Sequence, residues 1–288
     1  MTVRDALQIG RQRLTGSRHY DMREARIVCE WLMESLVGWD RAQQLIHESF
    51  TLSASQEQRW NDWLQRAEKG EPVQYILGKA WFYGMEWKVT PDVLIPRPET
   101  EQLVSWVMED YLHQHVTILD IGTGSGCIAV CLQYHLPQAK VYGMDVDAKA
   151  LQVARENAIL HKAPVTFIQA DMLCSSTWHL LPEADVLVSN PPYVSLAERH
   201  QMPVRVKNYE PARALFVEDR DPLLFYRAIA HFVRSREQPA VMYVEIHEDR
   251  GDEVVRLLDE SDFSAIEIRK DWFGKNRMIK ARYVNQKR

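Results

Sequence analysis

What the chain is short of narrows it first. Only four of its 288 residues are cysteine, Cys29, Cys127, Cys131 and Cys174, and no two stand in a C-x-x-C pair. That argues against a disulfide scaffold or a cysteine-clustered metal site. It predicts reduced thiols in small buried roles, in a cytosolic setting, with no metal. No run of about 18 apolar residues exists, so no transmembrane helix and no membrane association are expected. Arg4 and Asp5 stand where a signal peptide would need an apolar core, so no signal peptide is expected. Positive charge is not in excess: 35 Lys and Arg against 40 Asp and Glu leave a net charge of −5. A general electrostatic attraction to nucleic acid is therefore absent. There is no internal repeat and no low-complexity segment.

What is present is an ordinary globular composition, 46% hydrophobic and 26% charged. The length allows one large domain or two, at roughly 150 residues each. The first ~70 residues read as helices. Thr2 caps a helix carrying Val3, Ala6, Leu7 and Leu14, and Asp21 caps one carrying Ile27, Val28, Trp31, Leu32 and Leu36. Asp40 opens a short third helix. Ser53 or Ser55 opens a fourth, with Trp60, Trp63, Leu64 and Ala67 inward and Gly70 as its stop. From 71 the texture changes. The β-formers of 73–89, punctuated by glycine, predict a hairpin or a short pair of strands. Pro91, Pro96 and Pro98 then make a stiff connector. The expected organisation is 1–70 helical, 71–96 hairpin and connector, and 97–288 a second domain. In that last part strands are predicted at 116–121, 141–144, 165–168, 185–189 and 241–246. Helices are predicted at 100–111, 126–135, 148–161, 222–234 and 249–259. Such alternation predicts an α/β parallel sheet covered by helices on both faces. The runs 265–269 and 278–283 stand too close for a parallel crossover, so an antiparallel edge hairpin is expected.

Four features fall at strand C-terminal ends, where open α/β sheets bind ligands. Asp120-Ile121-Gly122-Thr123-Gly124-Ser125-Gly126 runs from strand into a glycine turn, and Gly122 and Gly124 let backbone approach a ligand closely. Its G-x-G-x-G spacing differs from the G-x-G-x-x-G of dinucleotide binders. Asp145 ends the next strand and can accept from both ribose hydroxyls of an adenosine ligand. Asp171 can accept from an adenine amino group, with Met172 covering the ring. Asn190-Pro191-Pro192-Tyr193 follows the run 185–189. Two prolines cannot continue a parallel strand, so a stiff loop is predicted. The Asn190 side-chain oxygen and the Pro191 carbonyl are then two acceptors able to hold a planar amino group. A proline-stiffened turn alone would be the bland explanation. Four such features in register on one rim are a joint signal for a ligand site.

With these residues quoted, the chain resembles a seven-stranded, Rossmann-like S-adenosylmethionine-dependent methyltransferase. The Asn-Pro-Pro-Tyr loop resembles that of amino methyltransferases acting on planar nitrogens. The likeness narrows on 72–78 (PVQYILG), Phe82-Tyr83-Gly84, 93–101 (VLIPRPETE), 209–216 (YEPARALF) and Arg269-Lys270-Asp271, which resemble the HemK/PrmC family. The family's helical N-terminal domain also fits, so the likeness covers nearly the whole chain. One departure stands after Val244-Glu245-Ile246. His247 and Arg250 occupy places where many members have glycine and later glutamine.

The resemblance implies S-adenosylmethionine as cofactor, and methylation of the glutamine amide in the Gly-Gly-Gln motif of class-1 peptide chain release factors. Carried over by motif, Gly122, Thr123, Gly124, Ser125, Gly126 and Asp145 would hold the cofactor's methionine and ribose, and Asp171 and Met172 its adenine. Thr100 and Glu101 would lie near its amino-acid end. Asn190, Pro191, Pro192 and Tyr193 would hold the substrate amide, and Phe82 and Tyr83 would wall the mouth. The helical domain would dock the protein substrate. Three alternatives stay open: a glutamine of a ribosomal protein, an adenine amino group in nucleic acid, and a non-catalytic cofactor-binding partner.

Overall fold

A computed structural model describes residues 1–236 and 238–284. The chain divides into two compact units. The first comprises Met1–Lys79 together with Met202–Tyr209, and the second the rest of the described chain. None of the described helices is long and apolar enough to cross a membrane.

The helical unit holds α1 (Val3–Gly16), α2 (Met22–Val37), α3 (Arg41–Ile46), α4 (Ala54–Glu68) and α5 (Val73–Leu77). The first four each open on a reciprocal capping box: Thr2 with Asp5, Asp21 with Glu24, Asp40 with Gln43, and Ser53 with Gln56. Each box satisfies two amides that the first helical turn leaves without partners. The inward stripes of Leu14, Leu32, Trp60 and Leu64 are fully buried in one core with Val73 and Ile76. Each large apolar side chain so buried contributes about 1.5–3 kcal/mol.

Helix α5 overturns the expected strand at the start of 73–89. Pro72 precedes its first turn, and Gly78 ends it in the left-handed region at φ 71°, its N–H donating to the Gln74 carbonyl. Val73 and Ile76, one turn apart, reach the helical core, and that packing overrides their β-preference.

The second unit begins with a two-stranded hairpin, β1 (Lys79–Phe82) and β2 (Met85–Lys88). Then follow α6 (Pro98–Tyr111), β3 (Thr117–Ile121), α7 (Cys127–His135), β4 (Lys140–Asp145), α8 (Ala148–Leu160), β5 (Thr166–Gln169), β6 (Val186–Ser189) and β7 (Val194–Ser195). A short α9 (Val204–Lys207) belongs to the helical unit, where Arg205 pairs with Glu24 and Tyr209 donates to the Lys69 carbonyl. The chain closes with β8 (Phe216–Val217), α10 (Leu224–Ser235), β9 (Ala240–Glu245), α11 (Gly251–Asp259), β10 (Phe263–Lys270) and β11 (Asn276–Tyr283). The main sheet has seven strands in the order β10-β11-β9-β6-β3-β4-β5. Five run parallel, and β11 and β10 form the expected antiparallel pair at one edge. The small parallel pair β7–β8 was not foreseen from sequence. Two residues per strand are too few to show periodicity.

Two cores sandwich the sheet. Tyr226, Ile229, Val254 and Leu258 cover one face, and Val104, Trp106, Ile128 and Leu132 cover the other. The fold is thus the α/β, Rossmann-like one expected, with its hairpin and its helical N-terminal unit. Strand order reverses at β3, which has β4 on one side and β6 on the other. That is the switch point at which such sheets open a crevice.

Candidate active site

Register puts the functional residues in one row. Ile121 lies opposite both Met144 and Ser189, Ser189 opposite Val244, and Asp145 opposite Gln169. The next residue along β3, β6 and β9 is therefore Gly122, Asn190 and Glu245, at the same level as Asp145. A cavity of about 290 Å³ opens there, the scale of a small-ligand pocket. Its lining includes Gly122, Gly124, Asp145, Asp171, Met172, Asn190, Pro191 and Pro192.

The glycine turn is held from beneath. Asp120, fully buried on β3, accepts from Thr123 Oγ1 at 2.6 Å and from the Ala129 amide of α7 at 3.2 Å. Burial pushes its carboxyl up to about 7, against these two hydrogen bonds and with the Asp145 charge adding to the rise. Gly122 has φ 73°, and a Cβ there would meet nothing within 4 Å, so its bare backbone faces open space. At Gly126, φ 81°, an added Cβ would instead lie 3.0 Å from the Ala154 Cβ, a tight approach in a conformation that side chains rarely adopt.

Of the five turn residues named from sequence, then, Gly122 and Gly124 line the cavity. Thr123, Ser125 and Gly126 do not. Thr123 is tied to Asp120, Gly126 fills a helix contact, and the Ser125 carbonyl accepts from Asn157 Nδ2 at 2.8 Å. Asp145 accepts from the Gly124 amide at 3.0 Å and from the Asp147 amide at 2.9 Å, and burial raises its carboxyl. Asp171 and buried Met172 stand beyond it, with Leu173 and Phe225 adding apolar wall. Asp92, Asp145, Asp147 and Asp171 set four carboxylates in the lining against one cation, Arg213, which pairs with Asp147 at 3.1 Å. The lining suits a cationic ligand with an apolar ring.

Asn190 sits half-buried at the rim, and its Nδ2 donates to Thr100 Oγ1 at 3.0 Å. Its Oδ1 and the Pro191 carbonyl take no hydrogen bond from the described residues. Thr100 and Glu101, expected near the cofactor's amino-acid end, are not among the residues that line this cavity. Thr100 is 2% exposed and donates to Glu245 Oε2 at 2.6 Å. Glu101 Oε1 accepts from the Tyr83 amide at 2.7 Å and so holds the hairpin turn, where Tyr83 adopts φ 52°. Tyr193 and Phe82 are also away from the lining. The Tyr193 hydroxyl donates to Glu245 Oε1 at 2.9 Å, and Phe82 is buried under the hairpin against Trp87.

Sequence reading missed Glu245, Glu210 and Asp120. An acidic residue closing a parallel strand was the signal that found Asp145, and it applies equally to Glu245. Glu210, 6% exposed, accepts from Arg97 at 2.6 Å and from the Ile95 amide at 3.2 Å. It clamps the proline connector beside Val93 and Leu94, which line the cavity. The His247 departure lies outside the cavity lining, its Nε2 3.2 Å from Glu198.

Comparison with known proteins identifies the family. The PrmC N-terminal domain model matches residues 5–78, and the methyltransferase small domain model matches residues 99–206. The release factor glutamine methyltransferase of Flavobacterium psychrophilum is 39% identical over 92% of this chain and 94% of its own length. That of Bacteroides thetaiotaomicron is 38% identical over 91% and 94%. Among solved structures, a methyltransferase from Pyrococcus furiosus shares the fold at a TM-score of 0.50 and 15% identity, over 80% of this chain and 98% of that one. On the identity and coverage of these relatives, the chain belongs to the release factor glutamine methyltransferase family.

Proposed function

We propose that this chain transfers a methyl group from S-adenosylmethionine to the side-chain amide nitrogen of the glutamine in the Gly-Gly-Gln motif of class-1 peptide chain release factors, in the cytoplasm. One observation carries the reading: Asn190 is held by its nitrogen end, which leaves Oδ1 and the adjacent Pro191 carbonyl as paired acceptors on the rim of the cavity.

The donor set fits the cofactor. Gly122 and Gly124 offer backbone without obstruction, Asp145 offers a carboxylate to a diol, and Asp171 with Met172 suits a purine. The carboxylate excess suits a sulfonium and an ammonium. When bound, S-adenosylmethionine supplies a methyl group on a positively charged sulfur that departs as a neutral thioether.

The protein's part is positioning. An amide nitrogen is a poor nucleophile, because its lone pair is delocalised into the carbonyl. Asn190 Oδ1 and the Pro191 carbonyl accept its two N–H groups and favour a more tetrahedral nitrogen. Once methylated, that nitrogen is cationic and strongly acidic, and one of the two protons is lost to solvent to leave the neutral N-methyl amide. The prolines keep the two acceptors at fixed spacing. A glutamate in the same place would set an anion against both acceptors, which is the basis for rejecting it. The helical unit, which carries no catalytic constellation of its own, serves as the docking surface for the protein substrate.

The test offers labelled S-adenosylmethionine with intact release factor, the same factor with Gln→Glu in its Gly-Gly-Gln motif, a ribosomal protein and DNA. Label is expected on the first alone. Asn190→Ala is expected to slow single-turnover transfer by ~100-fold, the scale of a positioning error, with cofactor affinity nearly kept. Equal labelling of the Glu-substituted factor would exclude this reading.

A further inference from the structure

Asn190 is useful only one way round. An asparagine side chain has an acceptor end and a donor end of nearly the same shape. Turned over, it would present N–H groups to the N–H groups of the substrate amide. Something must decide which end faces the cavity, and the loop itself does not, since Pro191 and Pro192 fix backbone and not the Asn190 side chain.

The deciding group lies one strand away. Glu245 closes β9 and is 1% exposed. Both of its oxygens are used, Oε2 by the Thr100 hydroxyl at 2.6 Å and Oε1 by the Tyr193 hydroxyl at 2.9 Å. A hydroxyl has one proton. With that proton committed to Glu245, Thr100 can only accept from Asn190, and it does so from Nδ2 at 3.0 Å. The same carboxylate therefore ties both ends of the Asn-Pro-Pro-Tyr loop, Tyr193 directly and Asn190 through Thr100. Burial raises the Glu245 carboxyl overall, with Glu99 adding to the rise, against the two hydroxyl donors and the Arg277 guanidinium, which favour its charge.

We propose that Glu245 and Thr100 are positioning residues, a buried relay that sets the polarity of the Asn190 amide and so presents its oxygen to the substrate. The proposal rests on the methyl-transfer reading for its kinetic consequence, but not for its structural one.

The experiment uses the full chain and five variants, Asn190→Ala alone among them. Thr100→Val keeps the shape and removes the hydroxyl. Thr100→Ser keeps the hydroxyl. Glu245→Gln must point one donor at either Thr100 or Tyr193. Asn190→Ala is combined with Thr100→Val. At saturating cofactor, Thr100→Val is expected to slow single-turnover transfer to release factor at least 10-fold, with cofactor affinity by calorimetry within about twofold of wild type. Thr100→Ser is expected to restore the rate to within a few-fold, and Glu245→Gln to fall between the two. The double variant should be little slower than Asn190→Ala alone, because both remove the same acceptor. Equal slowing by Val and Ser, or additive loss in the double variant, would overturn the proposal.

A second measurement does not depend on the substrate. The side-chain amide protons of Asn190, assigned by their absence in Asn190→Ala, should exchange slowly in the wild-type NMR spectrum and fast in Thr100→Val. An unchanged Asn190 amide signal in Thr100→Val would overturn the relay whatever is methylated. If Thr100→Val melts below the assay temperature, Thr100→Ala carries the same expectations. A wild-type protein that leaves release factor unlabelled while the amide signal behaves as expected would count against the methyl-transfer reading and not against the relay.

Discussion

The longer helices of the two units satisfy most of their N-terminal ends in different ways. In the helical unit, α1 to α4 each open on a box made by residues three apart in sequence. In the sheet unit, α6, α7, α10 and α11 open with no side-chain cap of their own. The α7 amide at Ala129 is met instead by Asp120, nine residues back on β3. Among the described helices of that unit only α8, with Asp147 as its N-cap, has a side-chain cap, and Asp147 lines the cavity. A helix start whose amides close on a side chain three residues away needs nothing from elsewhere in the fold. A sheet rim whose groups close across long sequence distances, as Thr100 does with Glu245 across 145 residues, keeps amides and carboxylates turned toward a ligand.

The largest way to test that contrast is Trp60→Ala. Trp60 is fully buried, and its ring occupies the space that a Gly10 Cβ would need, at 2.8 Å. Removing it should cost about 3–5 kcal/mol, as large aromatic truncations do, read as a lower urea midpoint. Cofactor affinity should survive wherever the protein stays folded. An unmoved midpoint would deny that the helical unit is held by its core. Asp145→Ala is the converse. It should weaken S-adenosylmethionine binding by roughly 1.5–3 kcal/mol, the worth of hydrogen bonds to a charged group, while the midpoint moves by less than about 1 kcal/mol. Unchanged affinity by calorimetry would remove Asp145 from the cofactor's site.

The same contrast decides what could be seen before the structure. The caps Thr2, Asp21 and Asp40 were legible because each acts on amides within three residues of itself. The sheet's strands, its edge hairpin and the row of Gly122, Asp145 and Asn190 were legible because hydrophobic runs and strand-ending residues repeat along the chain. The relay was not. Thr100 reads as an ordinary early-helix residue, and only the register of β6 beside β9 brings Asn190 within reach of what Glu245 holds. Likewise the helical state of Val73–Leu77 depends on a core built from α1, α2 and α4, which overrides β-forming residues.

Asp120 gives a pH-dependent test of the nonlocal rim. Its carboxyl is raised to about 7 from the ordinary 3.8 of an aspartate. Between those values the unfolded chain has released the proton and the folded chain retains it. Stability from this group is therefore full below 3.8 and falls as pH rises to about 7, at most by about 1.4 kcal/mol per pH unit, then levels. Asp120→Asn keeps the shape without the titration, so its denaturation midpoint should lack that decline. Parallel pH profiles for the two proteins would show that Asp120 is ionised throughout.

The smallest expected effect belongs to the helical unit's caps. Asp21 accepts the Glu24 amide at 2.7 Å, and Glu24 Oε2 accepts the Asp21 amide at 3.3 Å. Asp21→Ala leaves both amides of this box poorer and should cost about 1 kcal/mol. Asp21→Asn keeps an acceptor for the Glu24 amide and should cost a few tenths, the part owed to charge at a helix N-terminus. The two variants thus separate hydrogen bonding from charge at one position, by urea denaturation at low and high salt. Neither should alter cofactor affinity, because Asp21 serves only its own helix end. A cap variant that weakened cofactor binding while remaining folded would mean that the helical unit's polar groups are not as self-contained as their three-residue spacing implies.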